Sequence, residues 1–414
     1  MTPTDDGGML GLVELVDADG LIDIHGAGPF KAMHDTFIAR MKDWVRSRDE
    51  WHMMGNNRVC VVLRGVNDTG SLQLATAKLA RLFDQPYQQF GRTVPLEISA
   101  GFTRLENPER GMDAAIREAG LALMQAKRES RLYEVYTPQR MRAAGEEREL
   151  AERLEKALEL DELQLFYQPK VHAGYHSLVG AEALLRWHTR DGQVISPGKF
   201  IPVAENHAVI RPLTWWVIKS AVARLARWPD QLSIAVNIPP NLLLDEQIHS
   251  VVDDALKIYG VRPNRLTLEV TERVMVGDQG VMLEQLRELW KLGVKISLDD
   301  FGTGFSSFAY FRELPVDELK IDQSFVRPML ESGKDHAIVR ALIELAHNFS
   351  LRVVAEGVET VEIAKRLGEL GCDVLQGYVF DRPLPVEEFE AGYGIGRETR
   401  VAGKDDQPPK KRLN

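Results

Sequence analysis

The sequence predicts an α/β protein of two domains, a smaller α/β domain followed by a (β/α)8-type barrel. Three observations carry that expectation. From Leu163 to about Phe389, short apolar segments alternate regularly with amphipathic helices, the signature of repeated strand–helix units. Seven of those apolar segments end, at or just past the last apolar residue, on a metal-binding or proton-handling side chain. A length of 414 residues leaves room for a barrel and a second domain.

Residues 1–140 are expected to form the smaller domain. MLGLVELVD, VCVVLRG and LEISAGF are β-rich, and FKAMHDTFIARMKDWV and LATAKLARLF between them have helical spacing. Residues 141–160 read as a helical linker, with Leu150, Leu154, Ala157 and Leu158 recurring at intervals of three and four. Such a helix could transmit motion, and a plain connecting helix with one packed face fits the pattern equally well. The barrel is expected over 161–392. Its helix around Val281–Leu292 carries Leu283, Leu286, Leu289 and Trp290 and stops at Gly293. The helix at Ile248–Tyr259 stops at Gly260, and Thr360 is placed to cap the helix that leads to Gly371. The tail, 393–414, has little to bury and is expected to be disordered.

Composition narrows the function. Hydrophobic residues at 44% and charged residues at 27% describe an ordinary soluble protein. A net charge of −10 argues against a groove for polymeric nucleic acid, which normally needs a basic face. A small phosphate ester stays compatible, because a bound divalent ion inverts the field of acidic ligands. There is no apolar run of membrane-spanning length, and MTPTDDGGML lacks the regions of a signal peptide. The expectation is a cytoplasmic protein without a membrane partner. Cys60 and Cys372 are too few for a disulfide framework and are expected to be buried as small hydrophobes.

The strand endings are Glu182, Asn237, Glu269, Asp299 with Asp300, Lys320, Glu356 and Gln376. A parallel barrel brings the C-terminal ends of its strands to one face, so these groups should converge. Glu182, Asn237, Glu269 and Asp299 offer oxygen ligands suited to Mg²⁺ or Mn²⁺. Neighbours on a strand point to opposite sides, but at a strand's end Asp299 can face inward while Asp300 turns with the loop. Two metals sharing a carboxylate would account for the pair. Lys320 could orient or help deprotonate a water, or form an ordinary salt bridge. FGTGFSSF after Asp300 makes a flexible turn able to approach a substrate, and Glu272 could accept hydrogen bonds from it. Arg186 offers a planar fork for phosphate or a guanine edge. Trp187 reads as barrel packing, and His188 and His207 as structural or surface residues.

At this point the sequence resembles a known family. EALLRW at 182–187, YQPKV at 167–171, FIPVAEN at 200–206, LEVTE at 268–272, DDFGTGFSS at 299–307, LKIDQSFV at 319–326, AEGVET at 355–360 and QGYVF at 376–380 are similar to the EAL-domain cyclic di-GMP phosphodiesterases. The resemblance runs from about residue 148 to 390. It implies a metal cluster of Glu182, Asn237, Glu269, Asp299, Asp300 and Glu356, with Mg²⁺ or Mn²⁺ in a two-metal site. It further implies that Lys320 handles the attacking water together with Glu356, with Glu359 supporting that corner. Arg186, Gln168 and Gln376 would bind substrate, and Glu272 would anchor the loop at 301–307. Family members often carry an arginine where this chain has Asn241.

The N-terminal region resembles a degenerate GGDEF (diguanylate cyclase) domain. VDADG at 16–20 fits the first metal-binding strand, ISAGF at 98–102 a later strand and ALMQAKRESR at 122–131 the closing helix. The signature turn aligns with Gly55-Asn56-Asn57-Arg58-Val59, so Asn57 and Arg58 replace the acidic pair that cyclisation needs. Arg46 and Asp49 occupy the spacing of the family's inhibitory site, which a chance pair at a helix end also explains. The resemblance implies hydrolysis of cyclic di-GMP to linear pGpG, a homodimer through the EAL domain, and GTP or cyclic di-GMP as candidate ligands of the GGDEF-like domain. The alternative is a non-catalytic cyclic di-GMP receptor. Intact metal carboxylates favour catalysis.

Overall fold

The computed structural model describes residues 7–89, 92–105, 111–272, 279–302 and 311–396. The chain divides into two compact units, Met1–Glu149 and Leu150–Asn414. The glycine-rich loop beyond Gly302 and the tail beyond Gly396, on which the sequence places expectations, lie outside the described residues.

In the first unit β1 (Gly8–Leu15) lies at the centre of a five-stranded sheet. β2 (Glu50–Met54) and β3 (Arg58–Arg64) flank it on one side. A small hairpin, β4 (Tyr87–Gln89) and β5 (Arg92–Val94), stands apart. β6 (Ile98–Arg104) and β7 (Tyr133–Val135) complete the other side. Alternation along β1 explains the two-faced packing. Met9, Val13 and Leu15 pack with Phe37, Met41 and Leu79 of the helices Ala27–Trp44 and Thr69–Phe83, whereas Leu10 and Leu12 meet Ala119 and Leu123 of Met112–Arg128.

The second unit is a closed eight-stranded barrel in the order β9-β11-β12-β13-β14-β15-β16-β8 and back to β9. The strands are β8 (Leu163–His172), β9 (Leu178–His188), β11 (Ser233–Asn237), β12 (Leu266–Thr271), β13 (Lys295–Phe301), β14 (Glu318–Ile321), β15 (Arg352–Ala355) and β16 (Val374–Gln376). The two-residue strands β10 (Val194–Ile195) and β17 (Leu384–Pro385) extend it. The barrel departs from the all-parallel expectation in one strand: β8 pairs antiparallel with both β9 and β16. The reason is connectivity, since β8 joins β9 through the short turn at 173–177, which only an antiparallel pair accepts.

The helical stop signals hold. The helix Gln247–Tyr259 ends on Gly260 at φ 65°, and Thr360 accepts the backbone N–H of Ile363 at 3.2 Å. On the helix Gln279–Lys291, Leu286 and Leu289 are buried and Trp290 is 49% exposed. Residues 141–159 belong to one helix, Pro138–Glu159, and are not a free spacer over their second half. There Leu150, Leu154 and Ala157 join Leu163, Trp187 and Phe200 in the barrel unit's own core.

Candidate active site

Inside the barrel the two-residue period sorts side chains. Leu268, Val270, Ile296, Leu298, Leu319 and Ile321 face the helical layer and its core. Their neighbours Glu269, Ser297, Asp299, Glu318 and Lys320 turn to the interior, where they bond one another across strands. The interior is therefore polar, unlike the branched aliphatic filling usual in such barrels.

Lys320 is the centre of the site. It is 1% exposed, and its Nζ lies 3.0 Å from Glu269 Oε2, 3.0 Å from Asp299 Oδ2, 2.6 Å from Glu356 Oε1 and 3.7 Å from Glu182 Oε2. These contacts are the salt bridges that the sequence offered as one reading of Lys320. Glu182 does not end its strand; β9 runs six residues further, so Glu182 sits deep, at 5% exposure. Asn237 Nδ2 donates to Glu182 Oε1 at 2.7 Å, and Gln376 Nε2 donates to Glu182 Oε2 at 2.6 Å and to Gln168 Oε1 at 3.0 Å. Gln376 Oε1 is buried and has no hydrogen-bond partner among the described residues. Gln376 can reach this place because Gly377 follows it: a Cβ there would lie 2.1 Å from the carbonyl oxygen of Val358.

The adjacent aspartates are explained by the backbone. Asp300 adopts φ 56°, and between Leu298 and Phe301 the pairing of β13 with β14 shifts by a residue. This bulge turns both carboxylates toward the mouth. Carboxylate oxygens of Asp299, Asp300 and Glu356 lie within 4.8 Å of one another. An oxygen-only acidic cluster of that span fits a hard divalent cation of the Mg²⁺ or Mn²⁺ kind. Glu182 and Glu269 stand beside it, their oxygens engaged by amides and ammonium groups.

Other expected residues fall at the rim. Arg186 Nη1 donates to the Leu185 carbonyl at 2.8 Å, and its guanidinium lies 5.6 Å from the Phe166 ring centre. Glu359 does not stand beside Lys320; it pairs with Arg327 at 3.0 Å, a partner that the sequence did not single out. Glu272 Oε2 accepts the N–H of Gly302 at 3.0 Å, tying down the first turn of the glycine-rich loop. Gln168, Glu182, Arg186, Asp299, Glu356, Glu359 and Gln376 line a pocket of about 270 Å³. Lys170, Glu318 and Ser297 went unnoticed in the sequence, although each lies two residues from a named site residue on the same strand face.

Electrostatics follow from burial and charge crowding. Burial, reinforced by the neighbouring carboxylates Asp299 and Glu182, pushes Glu356 up to about 8 despite Lys320. Burial and the charge of Glu269 raise Glu182 too. For Glu269 burial acts upward, but Lys170 and Lys320 overcome it and hold its carboxyl at about 2. Lys320 is desolvated, yet four carboxylates keep its ammonium well above the ordinary lysine value.

The N-terminal unit is built differently. Glu14 of β1 is 4% exposed and faces Arg58 directly across the β1–β3 pair. Arg58 and Lys127 both ion-pair with it, Lys127 at 2.5 Å. Asp17 lies beyond β1 and caps the helix Ala18–His25, accepting Gly20 N–H at 3.2 Å. Asn57 donates to the Leu15 carbonyl at 3.3 Å. Arg46 and Asp49 bond each other at 2.9 Å, and Asp49 also accepts the N–H of Arg64 at 3.0 Å, so the pair closes a turn.

Fold and site define a two-domain α/β protein whose barrel gathers an acidic, oxygen-only cluster at one mouth. Residues 151–383 match the EAL domain, and residues 33–132 match the diguanylate cyclase, GGDEF domain. The chain belongs to the EAL-domain family, with a GGDEF domain N-terminal to the barrel. It is 34% identical over 379 residues to the bifunctional diguanylate cyclase/cyclic di-GMP phosphodiesterase MucR of Pseudomonas aeruginosa, covering 87% of this chain and 55% of that protein. It is also 34% identical over 386 residues to the cyclic di-GMP phosphodiesterase NbdA of Pseudomonas aeruginosa, covering 91% of this chain and 48% of that one. The chain thus spans about half the length of these curated relatives. Among solved structures, the PaMucR phosphodiesterase in complex with c-di-GMP is 40% identical, with a TM-score of 0.56, covering 58% of this chain and 99% of that one. Among the described residues, no helix is long and apolar enough to cross a membrane.

Proposed function

We propose that the barrel hydrolyses cyclic di-GMP to linear pGpG with the aid of Mg²⁺ or Mn²⁺ in a two-metal site, in the cytoplasm and as a homodimer through the EAL domain. The observation that carries this reading is the convergence of Glu182, Glu269, Asp299 and Glu356 on Lys320 at one barrel mouth. The structure of the MucR phosphodiesterase with c-di-GMP supports the substrate class.

Asp299, Asp300 and Glu356, with Glu182, Asn237 and Glu269 beside them, would hold the cations. When bound, the cations supply positive charge to the phosphoryl oxygens and lower the pKa of water. The chain's own groups do the rest. Arg186 at the rim presents a cation to the phosphodiester, and Gln376 Oε1 offers an open acceptor within the pocket. Lys320, whose three donors are held by Glu269, Asp299 and Glu356, would orient the attacking water with the N–H freed when a cation takes one of those carboxylates, and it offsets charge that builds on the phosphoryl group. Water oxygen bonds to phosphorus, the bond to the 3′-oxygen breaks, and the proton leaves with that oxygen, giving a 5′-phosphate end. Glu272 holds the loop start, and Glu359, held by Arg327, closes the rim.

The GGDEF-like unit is proposed to be inactive as a cyclase and to regulate or dimerise the chain, with GTP or cyclic di-GMP as candidate ligands. Asn57 and Arg58 supply no carboxylate, and Arg58 is engaged with Glu14. The test is chromatography of products after incubating purified protein with Mn²⁺ and cyclic di-GMP. Stoichiometric pGpG is expected; bound but unconverted nucleotide would replace the enzyme reading with a receptor.

A further inference from the structure

Deeper in the barrel than the acidic cluster lie two buried charged groups, Lys170 and Glu318, that the proposed chemistry does not use. Lys170 enters from β8, the strand that runs against its neighbours. Its Nζ is 2.7 Å from Glu269 Oε1 and 3.4 Å from Glu318 Oε1. Ser297 Oγ donates to the same Glu318 oxygen at 3.1 Å. The side chains of Lys170, Glu269 and Glu318 are 6%, 0% and 9% exposed. Glu269 therefore stands between two ammonium groups, Oε1 on Lys170 and Oε2 on Lys320.

Buried charges are costly to desolvate, and barrel interiors are ordinarily filled by branched aliphatic side chains. Lys170 and Glu318 together add no net charge, so the pair does not set the charge of the site. What it does, and an apolar filler would not, is pin one oxygen of Glu269. We propose that Lys170, oriented by Glu318, is a positioning residue that locks the Glu269 carboxylate so that only Oε2 faces Lys320 and Asp299. Without that bond the carboxylate is free to rotate, and its oxygens no longer hold one fixed place beside the cluster. Groups that orient a ligand in this way typically contribute about 10–100-fold to metal affinity. The inference rests on the reading of Glu269 as a metal ligand.

The test is calorimetric titration of Mn²⁺ into the full chain, with circular dichroism and the metal-free Tm recorded on the same samples. The double variant Lys170→Met/Glu318→Met removes the pair together and leaves the charge of the site unchanged. Its Mn²⁺ dissociation constant is expected to rise by roughly 10–100-fold while the fold is retained. Wild-type affinity in the folded double variant would overturn the proposal. If that variant does not fold, Lys170→Arg decides: charge is kept, the donor moves, and weaker Mn²⁺ binding at an unchanged metal-free Tm is expected. Unchanged binding in Lys170→Arg would then overturn the positioning role. Glu269→Gln separates the two layers of the reading. Lost affinity there with normal affinity in the Lys170 variants refutes positioning alone, whereas normal affinity in Glu269→Gln removes the ligand reading and the positioning role with it.

Discussion

The two units of this chain both bury carboxylates against cations, and they balance them in opposite ways. In the first, each buried glutamate meets two cations, Glu14 with Arg58 and Lys127 and Glu134 with Arg131 and Arg140. In the barrel, Glu182, Glu269, Glu318, Asp299, Asp300 and Glu356 crowd around the ammonium groups of Lys170 and Lys320. The first unit satisfies these acids internally. The second gathers more carboxylates than cations at its mouth, and burial, with Asp299 and Glu182 beside it, pushes Glu356 up to about 8. A surplus of that kind is relieved by divalent cations, which is why the chemistry is assigned to the barrel.

The sharpest way to break the contrast is to withdraw metal. Chelator should abolish hydrolysis of cyclic di-GMP, and Mg²⁺ or Mn²⁺ should restore it. Ca²⁺, larger and tolerant of irregular coordination, should bind without supporting turnover. Full activity in chelator, with no metal detected in the protein, would remove the charge-surplus account.

Single carboxylates come next. Asp299→Ala, Glu182→Ala or Glu356→Ala should each lower turnover by at least ~10²-fold, the scale of losing one electrostatic stabiliser. Circular dichroism should stay native-like. Near-normal rates in Asp299→Ala would mean that the aspartate pair is not where the cation sits.

Proton linkage gives a smaller and signed effect. Glu356 titrates near 4.5 when unfolded and near 8 when folded. Between those values the folded state keeps a proton that the unfolded chain has lost, so this group's stabilisation is complete below the unfolded value and fades as pH rises. Glu269, held at about 2, works with the opposite sign, but its loss begins only as pH falls below the ordinary carboxylate range. Metal-free Tm should therefore fall as pH is raised from about 5 to about 8. Mn²⁺ binding should tighten and release protons across the same window. A flat Tm profile would show that Glu356 is not protonated in the metal-free fold.

The smallest effect concerns regulation. A protein beginning at Arg148 keeps the buried Leu150, Ala151, Leu154 and Ala157 of the barrel unit. If the first unit regulates the second, removing it should change apparent substrate affinity by roughly 5-fold, a coupling of about 1 kcal/mol. Identical kinetics and oligomeric state, with and without GTP, would leave the first unit without a regulatory part.

Most of the barrel and its mouth were legible because strand period and strand-end chemistry coincide in this chain. Asp299, Lys320 and Glu356 announce themselves beside apolar runs, and the glycines at 260 and 293 mark helix ends. What was not legible depends on pairing direction and register. The antiparallel entry of β8 brings Lys170 opposite Glu269, 99 positions away in the chain, and no local pattern encodes that meeting. Glu318 could have been found, since it alternates with Lys320 along one strand face. Glu359 follows Glu356 by three residues, yet it is drawn outward to Arg327.

The most direct measurement gives the full-length protein cyclic di-GMP and, in a parallel reaction, GTP, both with saturating Mn²⁺, and resolves the products chromatographically. The account predicts pGpG from the first reaction and neither cyclic di-GMP nor pGpG from the second. Cyclic di-GMP or pGpG formed from GTP, or cyclic di-GMP left unhydrolysed by protein shown to bind Mn²⁺, would contradict it.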